Sequence, residues 1–370
     1  MFERNLRKLR EVAQQRGLSN LILLGKANIT YATGLREPAG ALVVSESCGD
    51  VMLVPLLDYF RAIAKVPKEV EVKAFTRGGE EVLRGGVPER DLVPGTLVEA
   101  IAKVVERCPG KVGLDASWGA GSTVRALEQR LGAEDVSEYI YKRRSIKEDW
   151  EVELIEGSLR VAEEAMRKLV EALREGVSEL ELAGAANMFM RKLGAWDEAF
   201  PTIVAFYQNT ALPHHAPEEL RLTLPGPVLI DLGSVKNGYF SDLTRTLWWG
   251  GNDREFAQRI EIVIEAQQAA IDRISPGAEA WEPDKEARLV LEKRGLAQYF
   301  NHGLGHGVGV EIHEEPYLRP GSRTVLEKGM VVTVEPGFYL PGLHGVRVED
   351  LVLITSRGRR VLTSMARLLV

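Results

Sequence analysis

Four carboxylates sit inside otherwise apolar, strand-like runs, and this placement limits the folds open to the chain more than any other feature. Asp231 and Asp242 lie in PVLIDLGSVKNGYFSDLTRTLWW (227–249), Glu335 in MVVTVEPG (330–337) and Glu349 in GVRVEDLVLI (345–354). An ionised carboxylate taken out of water is tolerated only against a cation or several donors, so the fold must bring compensation to these positions. The first run reads as two strands around Asn237-Gly238, a dipeptide suited to a turn with positive φ. A two-residue loop sets Asp231 opposite Thr244. Asp242, two residues before Thr244, then shares its face, because strand side chains alternate with period two. Two readings stay open for this hairpin: both aspartates share a metal, or one caps a turn while the other pairs with Arg245.

All six histidines, His214, His215, His302, His306, His313 and His344, fall between residues 214 and 344. Three of them lie in HGLGHGVGVEIHEEP (302–316), where glycines allow close backbone approach around His306. The run lacks both GxxxxGK[ST] and GxGxxG, and no helix pattern follows it, which speaks against a phosphate loop. His215 and His344 read as hydrogen-bonded interior residues. One histidine with four carboxylates is an oxygen-rich donor set that suits Mn, Co or Fe as readily as Zn.

At 370 residues, and with a prior of roughly 150 residues per domain, the chain should form two domains. Residues 1–145 alternate helical patterns with short β-rich runs (21–24, 41–45, 51–55, 112–115), which predicts a small α/β domain. Residues 146–370 open with a helix from Asp149 to Arg174. A second follows, capped by Ser178 with Glu181 three residues later. Further helices are expected at 254–274 and 281–294 among antiparallel strands, an α+β pattern. The charged start reads as a folded helix, and no run approaches ~18 apolar residues, so neither a secretory signal nor a membrane span is expected and a cytoplasmic location is. Cys48 and Cys108 stand apart from any CxxC pattern and read as free thiols. With 47 basic and 53 acidic residues mixed along the chain, no basic face for nucleic acid is indicated.

DLGSVKNGYFSDLTRT, HGLGHGVGVEIHEEP, GMVVTVEPGFY and GVRVEDLV together resemble, in order, the metal-site motifs of the pita-bread (creatinase-fold) metallopeptidases. That family includes Xaa-Pro dipeptidase (prolidase), aminopeptidase P and methionine aminopeptidase. NITYATG (28–34) and Arg144-Ser-Ile-Lys resemble the amino-terminal domain and junction of its proline-specific branch. The resemblance implies a two-metal hydrolase, with Mn or Co foremost, for the bond before proline in short peptides. Asp231 would bind one metal, His306 and Glu335 the other, and Asp242 and Glu349 both. Two metals roughly 3.5–4 Å apart lower the pKa of a water and polarise a carbonyl. Glu335 would also carry the water's proton, His214 and His313 would stabilise the oxyanion or protonate the leaving nitrogen, and His302 and Arg347 would shape the substrate pocket. A homodimer is implied as well. The complete ligand set argues against the metal-free or non-catalytic relatives, and the extra domain against removal of amino-terminal methionine. One departure touches specificity. Many prolidases carry an arginine immediately after HExP, thought to hold the dipeptide carboxylate; here that position is Tyr317, with Arg319 and Arg323 nearby.

Overall fold

The computed structural model describes residues 2–76 and 85–369. The chain divides into two compact units, Met1–Arg144 and Ser145–Val370.

The first unit runs α1 (Phe2–Gln15), β1 (Asn20–Leu23), α2 (Lys26–Thr33), β2 (Ala41–Ser45), β3 (Val51–Pro55), α3 (Tyr59–Ile63), β4 (Glu71–Thr76), β5 (Leu92–Pro94), α4 (Leu97–Val105), β6 (Val112–Leu114), α5 (Gly121–Leu131), β7 (Glu134–Asp135) and α6 (Ser137–Ser145). Among the described residues its sheet has the order β5-β4-β3-β2-β1-β6-β7. β2 is antiparallel to both neighbours, whereas β4, β5, β6 and β7 join in parallel. β1 and β2 are buried along their whole length, which explains why they read as continuous apolar runs instead of alternating ones. Of Phe2, Leu6, Leu9 and Ala13, which recur at helical spacing, the last three are buried and, with Val12, give α1 its inner face. The expectation of free thiols is overturned: the turn after β2 meets the segment after α4, and Cys48 and Cys108, 60 residues apart in sequence, form a disulfide across Cα atoms 6.1 Å apart. Isolated spacing in sequence carries no information on such a meeting.

The second unit begins with α7 (Asp149–Ala172) and α8 (Glu179–Lys192), and Ser178 and Glu181 form the predicted capping box. It continues with β8 (Asp197–Glu198), β9 (Ile203–Phe206), β10 (Gly226–Leu232), β11 (Ser234–Lys236), β12 (Tyr239–Phe240), β13 (Leu243–Trp249), α9 (Arg254–Arg273) and α10 (Trp281–Glu292). Last come β14 (Gly305–Gly307), β15 (Glu314–Leu318), β16 (Val331–Val334), β17 (Gly337–Leu340), β18 (His344–Arg347), β19 (Asp350–Thr355) and β20 (Gly358–Val361). Its sheets, β13-β10-β9, β12-β11-β8, β15-β14-β16-β19-β20 and β17-β18, are antiparallel throughout their described pairs, so the α+β reading holds. α7 and α8 pack on β9, β10 and β13 through Leu169, Met190, Phe206 and Ile230, and α9 and α10 cover β16 and β19 through Ile271, Leu291, Val332 and Val352.

The hairpin has the predicted register, with Asp231 opposite Thr244 and Lys236 opposite Tyr239, and Asn237 and Gly238 at φ of 52° and 83°. It is not one continuous ladder. Gly233 interrupts one strand and Ser241-Asp242 the other; a Cβ on Gly233 would stand 2.0 Å from the Ser241 carbonyl oxygen, so only glycine fits this break. Arg245 pairs with neither hairpin aspartate. Fully buried, it binds the Asp350 carboxylate at 2.9 Å and donates to the carbonyls of Thr244, Glu349, Met365 and Ala366, tying β13 to the start of β19 and the carboxyl-terminal segment. Truncating one partner of a buried pair costs about 3–5 kcal/mol. Arg245→Met should therefore lower the second unit's unfolding free energy, from urea titration followed by tryptophan fluorescence, by an amount of that order, with the midpoint falling accordingly. An unchanged midpoint would mean that Arg367, the other cation on Asp350, neutralises it alone.

Candidate active site

Breaks and ends of strands place the acids. Asp231 lies near the end of β10, Asp242 just before β13, Glu335 just after β16 and Glu349 between β18 and β19, while His306 is central in β14. One ligand atom from each of Asp231, Asp242 and Glu349 lies within 4.8 Å of the other two. His306 Nε2 is 3.6 Å from Asp242 Oδ2 and 3.4 Å from Glu335 Oε1. All five residues line one cavity of about 400 Å³.

Short polar side chains on neighbouring strands brace them. Thr333 Oγ1 accepts from the His306 amide at 3.0 Å and donates to Glu335 at 3.2 Å, and Thr244 Oγ1 donates to Glu349 at 2.8 Å. Gly305 permits β14 to lie against β16, since a Cβ there would stand 2.1 Å from the Thr333 carbonyl oxygen. Buried Arg347 donates to Asp231 at 2.6 Å, to Tyr339 at 2.8 Å and to the Pro213 carbonyl at 3.3 Å. The Tyr339 hydroxyl lies 2.9 Å from His302 Nε2, whose Nδ1 faces the Gly303 carbonyl at 2.8 Å. A carbonyl can only accept, so Nδ1 of His302 carries its proton and Nε2 accepts from Tyr339.

The electrostatics of the cluster ask for cations. Burial, with Asp231 and Glu335 nearby, raises the Asp242 carboxyl well above its ordinary range, and burial with Asp242 beside it does the same for Glu349. Burial pushes Glu335 up to about 8, and the buried His306 imidazole, with His313 beside it, down to about 3. His306 Nδ1 faces the Gly307 carbonyl at 3.1 Å, so it carries the proton and Nε2 turns a bare lone pair toward two carboxylates. Asp231 Oδ1 and Glu349 Oε1, both buried, lack any hydrogen-bond partner among the described residues. Lone pairs left facing one another and unpaired buried oxygens fit a divalent-cation site.

Around this cluster the cavity gathers the other residues singled out from the sequence: His214, His302, His313 and Arg347. His313 stands edge-to-face against His306 at 4.3 Å, and burial, with His214 nearby, lowers its pKa. Burial, helped by Arg347, takes His302 down to about 4. His215 and His344 lie outside the cavity: His215 binds buried Glu179, and half-buried His344 pairs with Arg259. Tyr317 and Arg319 line the cavity; Arg323 does not, being held by Glu279. Sequence reasoning missed Tyr339, Thr244 and Thr333. Thr333 stands two residues before Glu335 in a strand-like run, so period two already placed it on the same side; Tyr339 carried no such signal. It missed as well the apolar wall of Phe200, Ile203, Pro213 and Ile312.

The raised Glu335 pKa fixes a sign for the cation-free protein. The folded carboxyl keeps its proton up to about 8 and the unfolded one only to 4.5, so its contribution to stability is full below pH 4.5 and is lost as pH rises through about 8. Thermal melts of chelator-treated protein should fall in Tm across that window, and a divalent metal should reverse the fall at the upper end. Asp242→Asn, which removes one of the opposed charges, should raise the chelated protein's stability at pH 8 by about 1 kcal/mol or more and abolish the gain from metal. A flat pH profile insensitive to metal would refute this electrostatic account.

Two family models match the chain: metallopeptidase family M24 over residues 153–356 and the creatinase/prolidase N-terminal domain over residues 5–146. The chain is 34% identical to a Xaa-Pro dipeptidase of Pyrococcus furiosus over 99% of each chain. The solved Xaa-Pro dipeptidase from Bacillus anthracis superposes with a TM-score of 0.86 at 30% identity, covering 100% of both chains. The X-Pro aminopeptidase from Thermotoga maritima gives the same TM-score at 25% identity, covering 98% of this chain and 99% of its own. Full-length similarity of both units, met by a buried acidic cluster with the unsatisfied atoms of a cation site, leads to one conclusion: the chain belongs to metallopeptidase family M24.

Proposed function

We propose that this protein is a Xaa-Pro dipeptidase, hydrolysing the bond before a carboxyl-terminal proline. The observation that carries the reading is the cavity itself, with the acidic cluster on one side, the apolar wall of Phe200, Ile203, Pro213 and Ile312, and the guanidinium of Arg319. An apolar wall suits a proline ring. Arg319 lies over the Tyr317 ring at 5.3 Å and forms no ion pair among the described residues, which leaves its donors to a substrate carboxylate. Arg323, spent on Glu279 at 2.8 Å, is not available for that part.

Asp231, Asp242, His306, Glu335 and Glu349 would hold two divalent metals, Mn or Co foremost, with Zn and Fe compatible with the same donors. When bound, such a pair acidifies a water and polarises the scissile carbonyl. The chain's own groups supply the remainder. The Glu335 carboxylate takes the proton lost by the attacking water. The nitrogen of a prolyl amide has no proton of its own, so it must gain one to leave as a secondary amine. His214 and His313 face the cavity and supply either that proton or an N–H to the tetrahedral oxyanion. The lowered pKa of His313 keeps it neutral near pH 7, a hydrogen-bond donor without added charge. His302 and Arg347, linked through Tyr339, fix the wall on which the substrate rests.

A second reading, cleavage of longer peptides in the manner of an aminopeptidase, is favoured by Tyr317, which stands where the resemblance leads one to expect an arginine. A homodimer and a cytoplasmic location complete the proposal. A disulfide such as Cys48–Cys108 is rare in a reducing cytoplasm, except in hyperthermophiles, whose intracellular proteins are disulfide-rich.

Metal-stripped protein, with Mn or Co added back, should release alanine from Ala-Pro and far less from Ala-Pro-Ala. Arg319→Ala should raise KM for Ala-Pro by roughly 10- to 100-fold, the value of a charge-assisted hydrogen bond, and leave the tripeptide unaffected. Faster release from the tripeptide would replace the dipeptidase reading with the aminopeptidase one, and release from neither would end both.

A further inference from the structure

His214 faces the cavity yet has no hydrogen bond of its own within the described residues, so its position depends on the loop that carries it. That loop, residues 207–218, starts from Tyr207 at a φ of 52°, a conformation rare for a bulky residue and one that must be imposed from outside. The Tyr207 hydroxyl is clasped by the amides of Thr223 and Leu224 and by the Leu224 carbonyl, which holds the entry to the loop.

Both ends of the loop then converge on one buried carboxylate. Glu179, at the start of α8 and wholly inaccessible, accepts from the Phe206 amide at 2.7 Å and Asn209 Nδ2 at 3.0 Å through one oxygen. Through the other it meets His215 Nε2 at 2.7 Å and the Glu218 amide at 2.9 Å. The carboxylate can only accept, so His215 Nε2 donates. Four donors spaced over thirteen residues of chain are thus satisfied at one point, and the first turn of α8 favours a negative charge there. His215 is the residue next to His214, and its ring turns inward to Glu179 while His214 faces the cavity. Further along, Thr210 Oγ1 accepts from the Gly345 amide at 2.9 Å and the Pro213 carbonyl accepts from Arg347, so the loop also rests on the strand that leads to Glu349.

We infer that Glu179, acting through His215, is a positioning residue for His214: it sets the loop so that the imidazole meets the reacting bond. The inference rests on His214 taking part in hydrolysis, as proposed above. Glu179 touches neither substrate nor metal. Its effect must therefore appear only through His214, and a displacement of about 1 Å suffices for a loss near 10²-fold.

The test is a double-mutant cycle on the full-length, Mn-loaded protein, with turnover of Ala-Pro or Ala-Pro-Ala, whichever the wild type cleaves. Glu179→Gln keeps the size of the side chain but replaces one acceptor oxygen by a donor. It should lower kcat by roughly 10- to 100-fold, with KM and the Mn titration midpoint unchanged. In a His214→Ala background the same change should cost less than about twofold, since coupled residues are non-additive. His215→Leu should reproduce the loss, and His215→Gln, which keeps an N–H near the same place, should recover most of it; these two variants carry the test if Glu179→Gln does not fold. Equal losses with and without His214 would reduce Glu179 to a structural role and overturn the inference. A His214→Ala variant with wild-type kcat would remove its premise without touching the peptidase reading. If the wild type cleaves neither peptide, the premise falls and the inference with it; as a separate check, unchanged amide exchange across 207–218 in Glu179→Gln would overturn the inference on its own.

Discussion

Four carboxylates drawn out of water around one cavity are the constraint on which the second unit depends. Their mutual repulsion has to be opposed by a scaffold rigid enough to hold them until a cation arrives, and the structure meets that need with backbone. Asp231 and Glu349 belong to segments bound to β13 from opposite sides, the first through the β10 ladder and the second through the Glu349 amide on the Thr244 carbonyl at 3.2 Å. Arg245 closes the same junction from within by binding the Glu349 carbonyl and the Asp350 side chain. Consecutive residues thus serve opposite ends: Asp350 is neutralised by Arg245 and Arg367, whereas Glu349 keeps one oxygen without a partner among the described residues. A chain selected for stability alone would not leave it so.

Arg347 gives the cluster partial relief. It neutralises one charge out of four, through Asp231, and it does so from a site it also shapes through Tyr339 and Pro213. One cation for four acids is too little for a satisfied salt-bridge network and leaves room for added positive charge. His302 and His306 add none, because burial drives both to the neutral form. A neutral His306 whose Nδ1 proton is taken by a carbonyl has its lone pair free, the state a metal ligand needs.

Much of this was legible in the chain because the acids interrupt apolar patterns. Asp231 opposite Thr244 follows from Asn237-Gly238 and the length of the loop, and the helices at 149–172, 179–192 and 254–273 follow from period and capping. Four strands of the first unit, β1, β2, β3 and β6, could be read because central strands are apolar on both faces; β4, β5 and β7 were not. What stayed hidden depends on meetings between distant segments. The Cys48–Cys108 bond, the Tyr339 link between Arg347 and His302, and the use of Arg245 on Asp350 instead of a hairpin aspartate join residues 60, 37, 8 and 105 positions apart. The local pattern also mistook the hairpin for one ladder, since a break at Gly233 is set by its tight approach to Ser241, which no periodicity records. The individual roles of the cavity residues came from resemblance, and motif order, not spacing, carried them.

In the dipeptidase reading, specificity turns on where one cation stands at the end of β15, whose last residue is Leu318. Residue 319 stands one position past the end of β15, so an arginine moved there from position 317 is displaced by up to about 7 Å along the strand direction. Taken alone, that shift would suit a longer substrate than a dipeptide. The side chain counteracts it: the Arg319 guanidinium lies back over the Tyr317 ring, and the ring face attracts the cation and holds it there. Tyr317 thereby becomes a platform that returns the charge toward the position it would otherwise have occupied. A stacked guanidinium keeps its in-plane N–H groups free, so it can still grip a carboxylate at its edge. The dipeptidase reading thus depends on the pair Tyr317 and Arg319 acting together, and a chain that kept the arginine but lost the ring would be expected to favour the longer peptide.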